Sequence, residues 1–466
     1  MTSTDPVLNH QSRRPATPIN AARLSLGLLL TINLFNYVDR QILAAVEPRI
    51  QDQFLAGDPH AETKMGLLAT AFLVGYMVTA PLFGWLSDRM SRWILIAISV
   101  AIWSLASGAS GLAGAFTALL ITRLFVGIGE AGYGPAAPTI ISDLYPISRR
   151  GVVLAWFYMA IPVGSALGYI FGGEIAEHFG WRWAFYAVVP PGLLIALASL
   201  FMKDPPRGQI DAIDADARES AAANPATGAV IHIPAREPSR ARLADYLSLF
   251  SNKSFMLDTM GMAAMTFAIS GISFWIPRYF TTVRHLELGR ANLIFGAIIA
   301  FAGLKATLIG GWTGDKLRAI WPGSYFTVSG IAIFISCPCV LMMVHTQGLV
   351  SWIWLYAAAF FLFFNTGPSN TILANVTDPN IRASAFGLNI LVIHALGDLV
   401  APPLLGSVAH YSWNAAWGVV TIVMAIAGII WLFGARYLQA DTQAVLQGEG
   451  VAGRGFDAVD SQPGGT

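Results

Sequence analysis

GWLSDRMSR, residues 84–92, and GWTGDKLRA, residues 311–319, decide the fold of this chain. Both stretches read Gly-Trp, two residues, Asp, a basic residue and an apolar residue. Each one closes the second of six hydrophobic runs in its own half of the chain. Because sequence and position match together, the pair predicts two related six-helix halves around a central site.

The composition indicates a chain embedded in lipid. Of its 466 residues, 55% are hydrophobic and only 12% charged, whereas about a quarter are charged in a soluble protein. The net charge of +1 gives no indication of a nucleic-acid partner, and we expect none. Cys337 and Cys339 match no metal or redox spacing. We interpret them as buried thiols and expect no metal and no cofactor.

Twelve hydrophobic runs are long enough to cross a bilayer, which takes roughly 20 apolar residues. They cover residues 22–46, 63–87, 93–113, 117–144, 151–176 and 183–202, and then 254–280, 291–314, 323–345, 349–376, 383–409 and 413–436. The predicted fold class is therefore an all-α membrane protein, with twelve transmembrane helices in two pseudo-symmetric six-helix bundles.

The polar segments divide the chain into domains. We expect an N-terminal tail at 1–21, bundles at 22–203 and 253–437, a central connection at 204–252 and a disordered tail at 438–466. Near the end of the connection, apolar residues recur at helical spacing, at Leu243, Tyr246, Leu247 and Phe250. This spacing predicts a short amphipathic helix on the membrane surface.

The placement of Lys and Arg predicts the orientation. With the N-terminus in the cytoplasm, the cytoplasmic segments hold nineteen Lys and Arg residues and the outer segments hold six. Positive residues favour the cytoplasmic side, so we expect both termini there. Residues 1–20 show no secretory pattern and the other loops are short, which favours a bacterial inner membrane.

Several motifs resemble one family. The repeated stretch is similar to the short loop motif of the major facilitator superfamily. RLFVGIGEAGYGPAAPTIISDLYP from residue 123, NYVDR at 36–40 and HALGDLVAPPLLG at 394–406 resemble its Spinster branch. The resemblance implies alternating access, with lysolipids and sphingolipids as substrates and proton coupling as argued for bacterial members. It also implies a cytoplasmic gate formed by Asp88, Arg89, Arg92, Asp143, Arg149, Arg150 and Asp315.

Six ionisable residues lie deep in the predicted spans: Asp39, Arg40, Arg123, Glu130, Lys305 and Asp398. Each costs roughly 2.5–3.5 kcal/mol on insertion scales if it faces lipid unpaired. Together they would cost on the order of 15–20 kcal/mol on the same scales. We therefore expect them to face a water-filled cavity, to pair with each other, or to lose their charge.

Helical spacing and the chemistry of buried charges together suggest roles for four of these residues. Arg123 and Glu130 are seven residues apart and share a helix face with Gly127, which predicts close packing there. Asp39 and Arg40 point about 100° apart. Burial favours a neutral carboxylate and a nearby arginine favours a charged one. We take Asp39 and Glu130 as proton carriers with Arg40 and Arg123 as charge partners. A permanently paired structural network is the alternative.

The candidate substrate contacts are Asn36, Tyr37, Lys305, Asn370, His394 and Asp398. His394 and Asp398 share a helix face. They either form a polar site for the substrate or serve as a hydrogen-bonded pair. Lys305 either meets an anionic headgroup or extends along its helix to the membrane surface. Aromatic residues such as Phe267, Phe274, Trp275 and Tyr279 either pack or line a cavity for an apolar tail.

The predicted function is a proton-coupled secondary transporter, a monomer among membrane lipids, that exports lysolipid or sphingolipid-like amphiphiles. Two alternatives remain: a proton symporter for small organic anions, and a membrane receptor that transports nothing. The sequence contains no HExxH, GxSxG or comparable nucleophile-and-base motif, so we do not expect an enzyme.

Overall fold

The computed structural model describes residues 19–87, 89–145, 147–206, 249–377 and 381–446. Within these residues it contains sixteen α-helices, one short π-helix and no β-strand. Twelve helical stretches are long and apolar enough to cross a membrane, as predicted. The predicted amphipathic helix at 243–250 lies almost entirely outside the described residues.

The N-terminal bundle contains six spans. Its helices are α1 (Ile19–Phe54), α2 (Ala61–Ser87), α3 (Arg92–Leu112), α4 (Phe116–Ala131), α5 (Tyr133–Leu144), α6 (Ile147–Phe179) and α7 (Trp181–Leu200). α4 and α5 together form the fourth span and are separated at Gly132. The first repeated motif begins in the last turn of α2, as expected.

The C-terminal bundle contains the other six spans. Its helices are α8 (Lys253–Thr282), α9 (Leu288–Arg318), α10 (Ser324–His345), α11 (Gly348–Phe363), α12 (Thr366–Asn375), α13 (Arg382–Ile393), α14 (Ala401–Ala409) and α15 (Trp413–Gly434). A π-helix at His394–Asp398 interrupts the eleventh span between α13 and α14. Such interruptions of an α-helix are frequent at functional sites.

Glycines allow α1 and α6 to pack closely. A methyl group at Gly168 would lie 2.5 Å from the Val38 carbonyl oxygen, and one at Gly164 would lie 2.6 Å from that of Leu34. These distances are shorter than any normal contact, so only glycine fits. Small residues are typical of close helix contacts in membranes.

The two bundles touch at one end. The Tyr169 hydroxyl donates a 2.5 Å hydrogen bond to the Ser273 carbonyl, and Asn292 donates to the Ala45 carbonyl at 2.9 Å. We name the two ends of the molecule the Arg278 end and the Arg92 end. Between described residues, hydrogen bonds and ion pairs join the bundles only from mid-bundle to the Arg278 end.

The prediction of a disordered tail from residue 438 was wrong for its first part. Residues Leu438–Leu446 form α16, whose Leu438 and Ala444 are buried. Asp441 accepts a 2.9 Å hydrogen bond from the backbone N–H of Ser254, in the first turn of α8. The first N–H groups of a helix have no partner within the helix, so Asp441 ties α16 to the C-terminal bundle.

The close packing of α1 and α6 gives a stability prediction. Gly168→Ala should lower the melting temperature of the purified protein, because the new methyl group clashes with backbone. We expect a loss of about 1–3 kcal/mol, typical of overpacking. Gly27→Ala is the matched control, since nothing lies within 4 Å of its added methyl group. Equal melting temperatures for the two variants would contradict the packing.

Candidate functional site

The central charge cluster consists of Asp39, Arg40, Arg123 and Glu130. Within it, Arg40 Nε and Glu130 Oε2 form an ion pair at 2.6 Å between α1 and α4. Glu130 is 1% exposed, while 23% of the Arg40 side chain is accessible. Glu130 Oε1 has no hydrogen-bond partner among the described residues. The carboxylate therefore depends on one arginine.

Aromatic rings surround the Arg40 guanidinium. Its Cζ lies 5.3 Å from the ring centre of Tyr37, 5.0 Å from that of Phe72 and 5.5 Å from that of Tyr76. Cation–π contacts of this kind contribute about 0.5–2 kcal/mol each. The rings thus hold Arg40 in place on three sides while part of its side chain stays accessible.

Asp39 faces the interior of the N-terminal bundle instead. Its Oδ1 accepts a 2.5 Å hydrogen bond from Ser107 on α3, and its Oδ2 has no partner among the described residues. A small cavity of about 10 Å³ lies beside it, lined also by Phe35, Trp103 and Ser104. Asp39 and Arg40 therefore serve different contacts, as their helical spacing predicts.

Arg123 lies between the two carboxylates without touching either. It interacts electrostatically with Asp39 and Glu130, but it makes no ion pair with a described residue. Its Nε and Nη1 atoms are buried without hydrogen bonds, and its Cζ lies 5.6 Å from the Phe72 ring centre. Among the two predicted proton carriers and their two candidate arginine partners, the structure brings only Arg40 and Glu130 into contact.

The glycine-lined face of the fourth span, on α4 and α5, supports packing within one bundle. A side chain at Gly127 would clash with the Phe72 carbonyl of α2, and a methyl group at Gly134 would lie 2.9 Å from the Tyr76 hydroxyl. These glycines bring α2 close to the Arg40–Glu130 pair. Such packing is compatible with the permanently paired network as well as with a cluster that moves protons.

His394 and Asp398 meet on the π-helix of the eleventh span. His394 Nδ1 and Asp398 Oδ2 are 2.5 Å apart, and both side chains are partly accessible. The His394 ring centre lies 6.4 Å from that of Tyr76 in the other bundle. Because Tyr76 also contacts Arg40, the structure brings both predicted polar sites together across the bundle interface.

Of the remaining predicted substrate contacts, Tyr37 lies beside Arg40, whereas Lys305 and Asn370 lie on exposed helix faces. Asn36 is buried on α1. Lys305 is exposed on the face of α9 that carries Phe301 and Leu308, which are 61% and 73% exposed. This position fits a side chain that extends to the membrane surface. Asn370 is also exposed and donates to the Thr366 carbonyl in its own helix.

The aromatic residues of the seventh span pack inside the C-terminal bundle. Phe267, Phe274, Trp275 and Tyr279 are buried in its core. Trp275 Nε1 donates a 3.0 Å hydrogen bond to the Pro402 carbonyl. They do not line a cavity in this structure, so the packing interpretation of these rings fits the structure better.

Arg92 organises the opposite end of the N-terminal bundle. Its Nη1 bonds to Asp143 at 2.5 Å, its Nε to Asp204 at 2.9 Å and its Nη2 to the Pro205 carbonyl at 2.8 Å. The residue is 2% exposed. Arg92 and Asp143 were predicted. Asp204 was missed, although an acid directly after the sixth span was a usable signal.

The other predicted gate residues contribute less to this network. Arg89 is exposed over the Trp85 ring, 4.2 Å from its centre, and Asp315 is exposed and accepts from the Tyr325 hydroxyl at 2.7 Å. Asp88 and the side chains of Arg149 and Arg150 lie outside the described part of the chain. Among the described residues, the Arg92 network joins segments of the N-terminal bundle only.

A second charge cluster, at the Arg278 end, was missed. Arg278 Nη1 lies 3.6 Å from Glu47 Oε2, and its Nη2 lies 3.6 Å from Glu62 Oε1. His410 Nδ1 lies 3.6 Å from Glu62 Oε2. Glu47 is fully buried, in the otherwise apolar run before Pro48. That acid was the available signal, but its partner lies 231 residues away.

Comparison with known sequences finds the same superfamily that the repeated motif resembles. Residues 29–402 match the model of the Major Facilitator Superfamily. The human protein spinster homolog 1 is 34% identical over 408 residues, which cover 83% of this chain and 72% of that protein. A sphingosine-1-phosphate transporter of Danio rerio is 31% identical over 441 residues, covering 89% and 81%.

Solved structures support the fold. A bacterial homologue of the human lysosomal transporter Spinster, in an inward-facing and unoccupied conformation, matches with a TM-score of 0.72 and 20% identity over 92% of this chain and 98% of that one. A D-xylose–proton symporter matches with a TM-score of 0.68 and 18% identity over 88% and 96%. At such identities the likeness concerns the fold alone.

The Arg92 network yields a prediction about stability. Arg92→Gln should destabilise the protein by about 3 kcal/mol, because it removes the buried arginine that pairs with both Asp143 and Asp204. The measurement is thermal unfolding of the purified protein in detergent. Arg89→Gln is the matched control, an exposed arginine of the same motif, and should shift the melting temperature little. Similar shifts for both would show that the network does not hold this end together.

Proposed function

The chain belongs to the Spinster family of the major facilitator superfamily, and we propose that it carries amphiphiles with an anionic headgroup together with protons. It is a multi-pass membrane transporter and not an enzyme. The observation that carries the proposal is the buried Arg40–Glu130 pair, in which one partly accessible arginine neutralises one buried carboxylate.

The charges of the central cluster explain the coupling. Two carboxylates, Asp39 and Glu130, stand against two arginines, Arg40 and Arg123, so the empty cluster is neutral. An anionic headgroup that binds Arg40 draws the guanidinium away from Glu130. Glu130 then lies buried without a partner, which favours its protonation. Anion and proton therefore assist each other in binding.

The second carboxylate extends this mechanism. Asp39 is buried, has one oxygen without a hydrogen bond and interacts electrostatically with Arg123. When a proton neutralises either carboxylate, Arg123 remains to compensate the other. Asp39 and Glu130 thus act as one proton-binding unit that Arg123 links without direct contact.

The surroundings of Arg40 favour a phosphate headgroup. A guanidinium binds phosphate oxygens through two parallel hydrogen bonds. Tyr37 and Tyr76 lie beside it as further polar groups, and His394 lies next to Tyr76. The relative named as a sphingosine-1-phosphate transporter carries a substrate with this headgroup and an alkyl chain. We propose a lysolipid or a sphingoid phosphate as the substrate class.

Transport proceeds by alternating access of the central cluster to the two sides. The bundles meet at the Arg278 end, so the headgroup enters from the Arg92 end in this conformation. The excess of Lys and Arg favours a cytoplasmic position for the Arg92 end and for both termini. The short loops favour a bacterial inner membrane. Because anion and proton assist each other in binding, substrate and protons cross the membrane in the same direction. Export against the proton flow, as predicted from the sequence, instead requires proton and substrate to compete.

A symporter for small organic anions is the second candidate. The same Arg40–Glu130 pair favours it, because the pair recognises an anion whatever is attached to it. The two candidates differ only in whether an apolar tail is needed for binding.

The proposal predicts gradient-driven transport in liposomes that contain the purified protein. A labelled lysophospholipid with an anionic headgroup should accumulate on the less acidic side. A gradient of one pH unit sustains roughly tenfold accumulation per coupled proton. Asp39→Asn and Glu130→Gln should abolish accumulation. Glu177→Gln is the control, because Glu177 pairs with Arg49 at the surface and should leave transport unchanged.

Three other outcomes would change the conclusion. Accumulation on the more acidic side would show exchange for protons and would support export. Accumulation of acetate or lactate without any lipid movement would favour the organic-anion symporter. Movement that ignores both the gradient and the two carboxylate variants would reduce Asp39 and Glu130 to structural charges.

A further inference from the structure

The two carboxylates of the central charge cluster are held by different kinds of group. Glu130 pairs with the Arg40 guanidinium, which is partly accessible. Asp39 accepts its hydrogen bond from a neutral side chain, the Ser107 hydroxyl of α3, at 2.5 Å. Asp39 is 2% exposed and Ser107 is fully buried. An anion that reaches Arg40 therefore disturbs the contact of Glu130, while the contact between Asp39 and Ser107 stays inside the N-terminal bundle.

The space beside Asp39 is too small for a headgroup. The cavity that it shares with α3 and α7 measures about 10 Å³ and is lined mainly by apolar side chains, among them Val100, Val188 and Ile195. A volume of this size holds about one water molecule. Asp39 can exchange a proton with such a water, but no phosphate or carboxylate group fits beside it.

The charges that act on Asp39 belong to the central charge cluster. Arg123 and Glu130 lie on α4 and Arg40 lies on α1, and none of them forms an ion pair with Asp39. The residues of α3 and α7 that line the cavity carry no titratable group. Burial disfavours the charged form of a carboxyl group, whereas a hydrogen bond donated to it favours that form. Ser107 is thus the direct contact that opposes the effect of burial on Asp39.

We propose that Ser107 is a positioning residue that sets the pH at which Asp39 takes up its proton. Its hydroxyl orients the carboxylate towards α3 and stabilises the charged form. The proposal rests on the proposed function for its place in transport, and it gives the two proton carriers different roles. The contact of Glu130 changes when an anion binds Arg40, and the contact of Asp39 does not.

Loss of the Ser107 hydroxyl has an effect of known sign. The charged form of Asp39 then lacks a direct hydrogen-bond donor among the described residues, so the carboxyl group keeps its proton to higher pH. Ser107→Ala should therefore raise the midpoint of proton uptake by roughly one pH unit, which is a tenfold gain in proton affinity. Ser107→Thr keeps the hydroxyl and should titrate like the wild type.

The same helix provides a matched control. Ser110 lies one turn further along α3 and is equally buried. Its hydroxyl bonds to the Ala106 carbonyl and to the Thr122 hydroxyl, and neither contact involves Asp39. Ser110→Ala removes the same group from the same helix, so it should leave the proton uptake of Asp39 unchanged.

The test is an infrared titration of the purified protein without substrate. A protonated carboxyl group shows a carbonyl stretch that its charged form lacks, so the intensity of this band against pH reports proton uptake. In each variant, the part of the band that disappears when Asp39→Asn is added belongs to Asp39. Its midpoint should lie roughly one pH unit higher in Ser107→Ala than in the wild type, Ser107→Thr and Ser110→Ala.

A second titration checks that the contact lies out of reach of the substrate. It is carried out with saturating lysophospholipid that has an anionic headgroup. The difference in midpoint between Ser107→Ala and the wild type should be the same with and without this lipid. A difference that vanishes when the lipid is present would show that the headgroup reaches Asp39 and would overturn the separate roles.

Two further outcomes would overturn the role of Ser107 itself. One is that Ser107→Ala titrates like the wild type. The other is that Ser107→Thr or Ser110→Ala shifts the midpoint as far as Ser107→Ala does, since the hydroxyl on Asp39 would then not be the cause. If Ser107→Ala does not fold, Ser107→Cys takes its place. Its S–H group is a weak donor of similar size and should shift the midpoint in the same direction.

The titration is independent of the transport assay, because it needs neither liposomes nor a proton gradient. If Asp39 titrates as expected while liposomes show no proton-driven transport, the role of Ser107 stands and the proposed function fails. If transport is proton-driven while the titration ignores Ser107, the proposed function stands and the role of Ser107 fails.

Discussion

A charge inside a bilayer has no water around it, and this constraint orders the polar residues of the whole bundle. Arg92, Arg40 and Arg278 lie at three levels, and each contacts at least one carboxylate from another helix. Leaving any of these groups buried and unpaired would cost several kcal/mol. The fold can therefore change shape only through movements that exchange these partners, hydrate them or neutralise them with a proton.

The three levels differ in the bundle that supplies each charge. The Arg92 network and the Arg40–Glu130 pair each lie within the N-terminal bundle, so both persist when the bundles move apart. The second charge cluster, at the Arg278 end, spans both bundles, and its ion pairs must break in such a movement. The Arg92 network thus stabilises the N-terminal bundle as a rigid unit. The Arg40–Glu130 pair forms the proposed site for anion and proton. The charges at the Arg278 end are the ones whose contacts change with the conformation.

The sequence predicts the helices well but predicts contacts between residues on different helices poorly, for physical reasons. Twelve spans and the repeated motif follow from local hydrophobicity, and the divergence of Asp39 from Arg40 follows from helical geometry. The partner of Glu47 could not be found this way, because helical spacing relates residues on one helix and Arg278 lies on another. Arg278 was counted only as a charge on the outer side. The helix Leu438–Leu446 was missed because its stability comes from contacts with α8.

The repeat in the sequence does not extend to the buried arginine of the Arg92 network. In the second motif, Ala319 occupies the position of Arg92, and Asp315 is exposed where it accepts from Tyr325. Both proposed proton carriers also belong to the N-terminal bundle. α1 carries Arg40 and, two helical turns later, Glu47, so one helix connects the proposed headgroup site to the second charge cluster at the Arg278 end. Movement of α1 on anion binding would therefore act on the Glu47–Arg278 contact directly, without any signal through the C-terminal bundle.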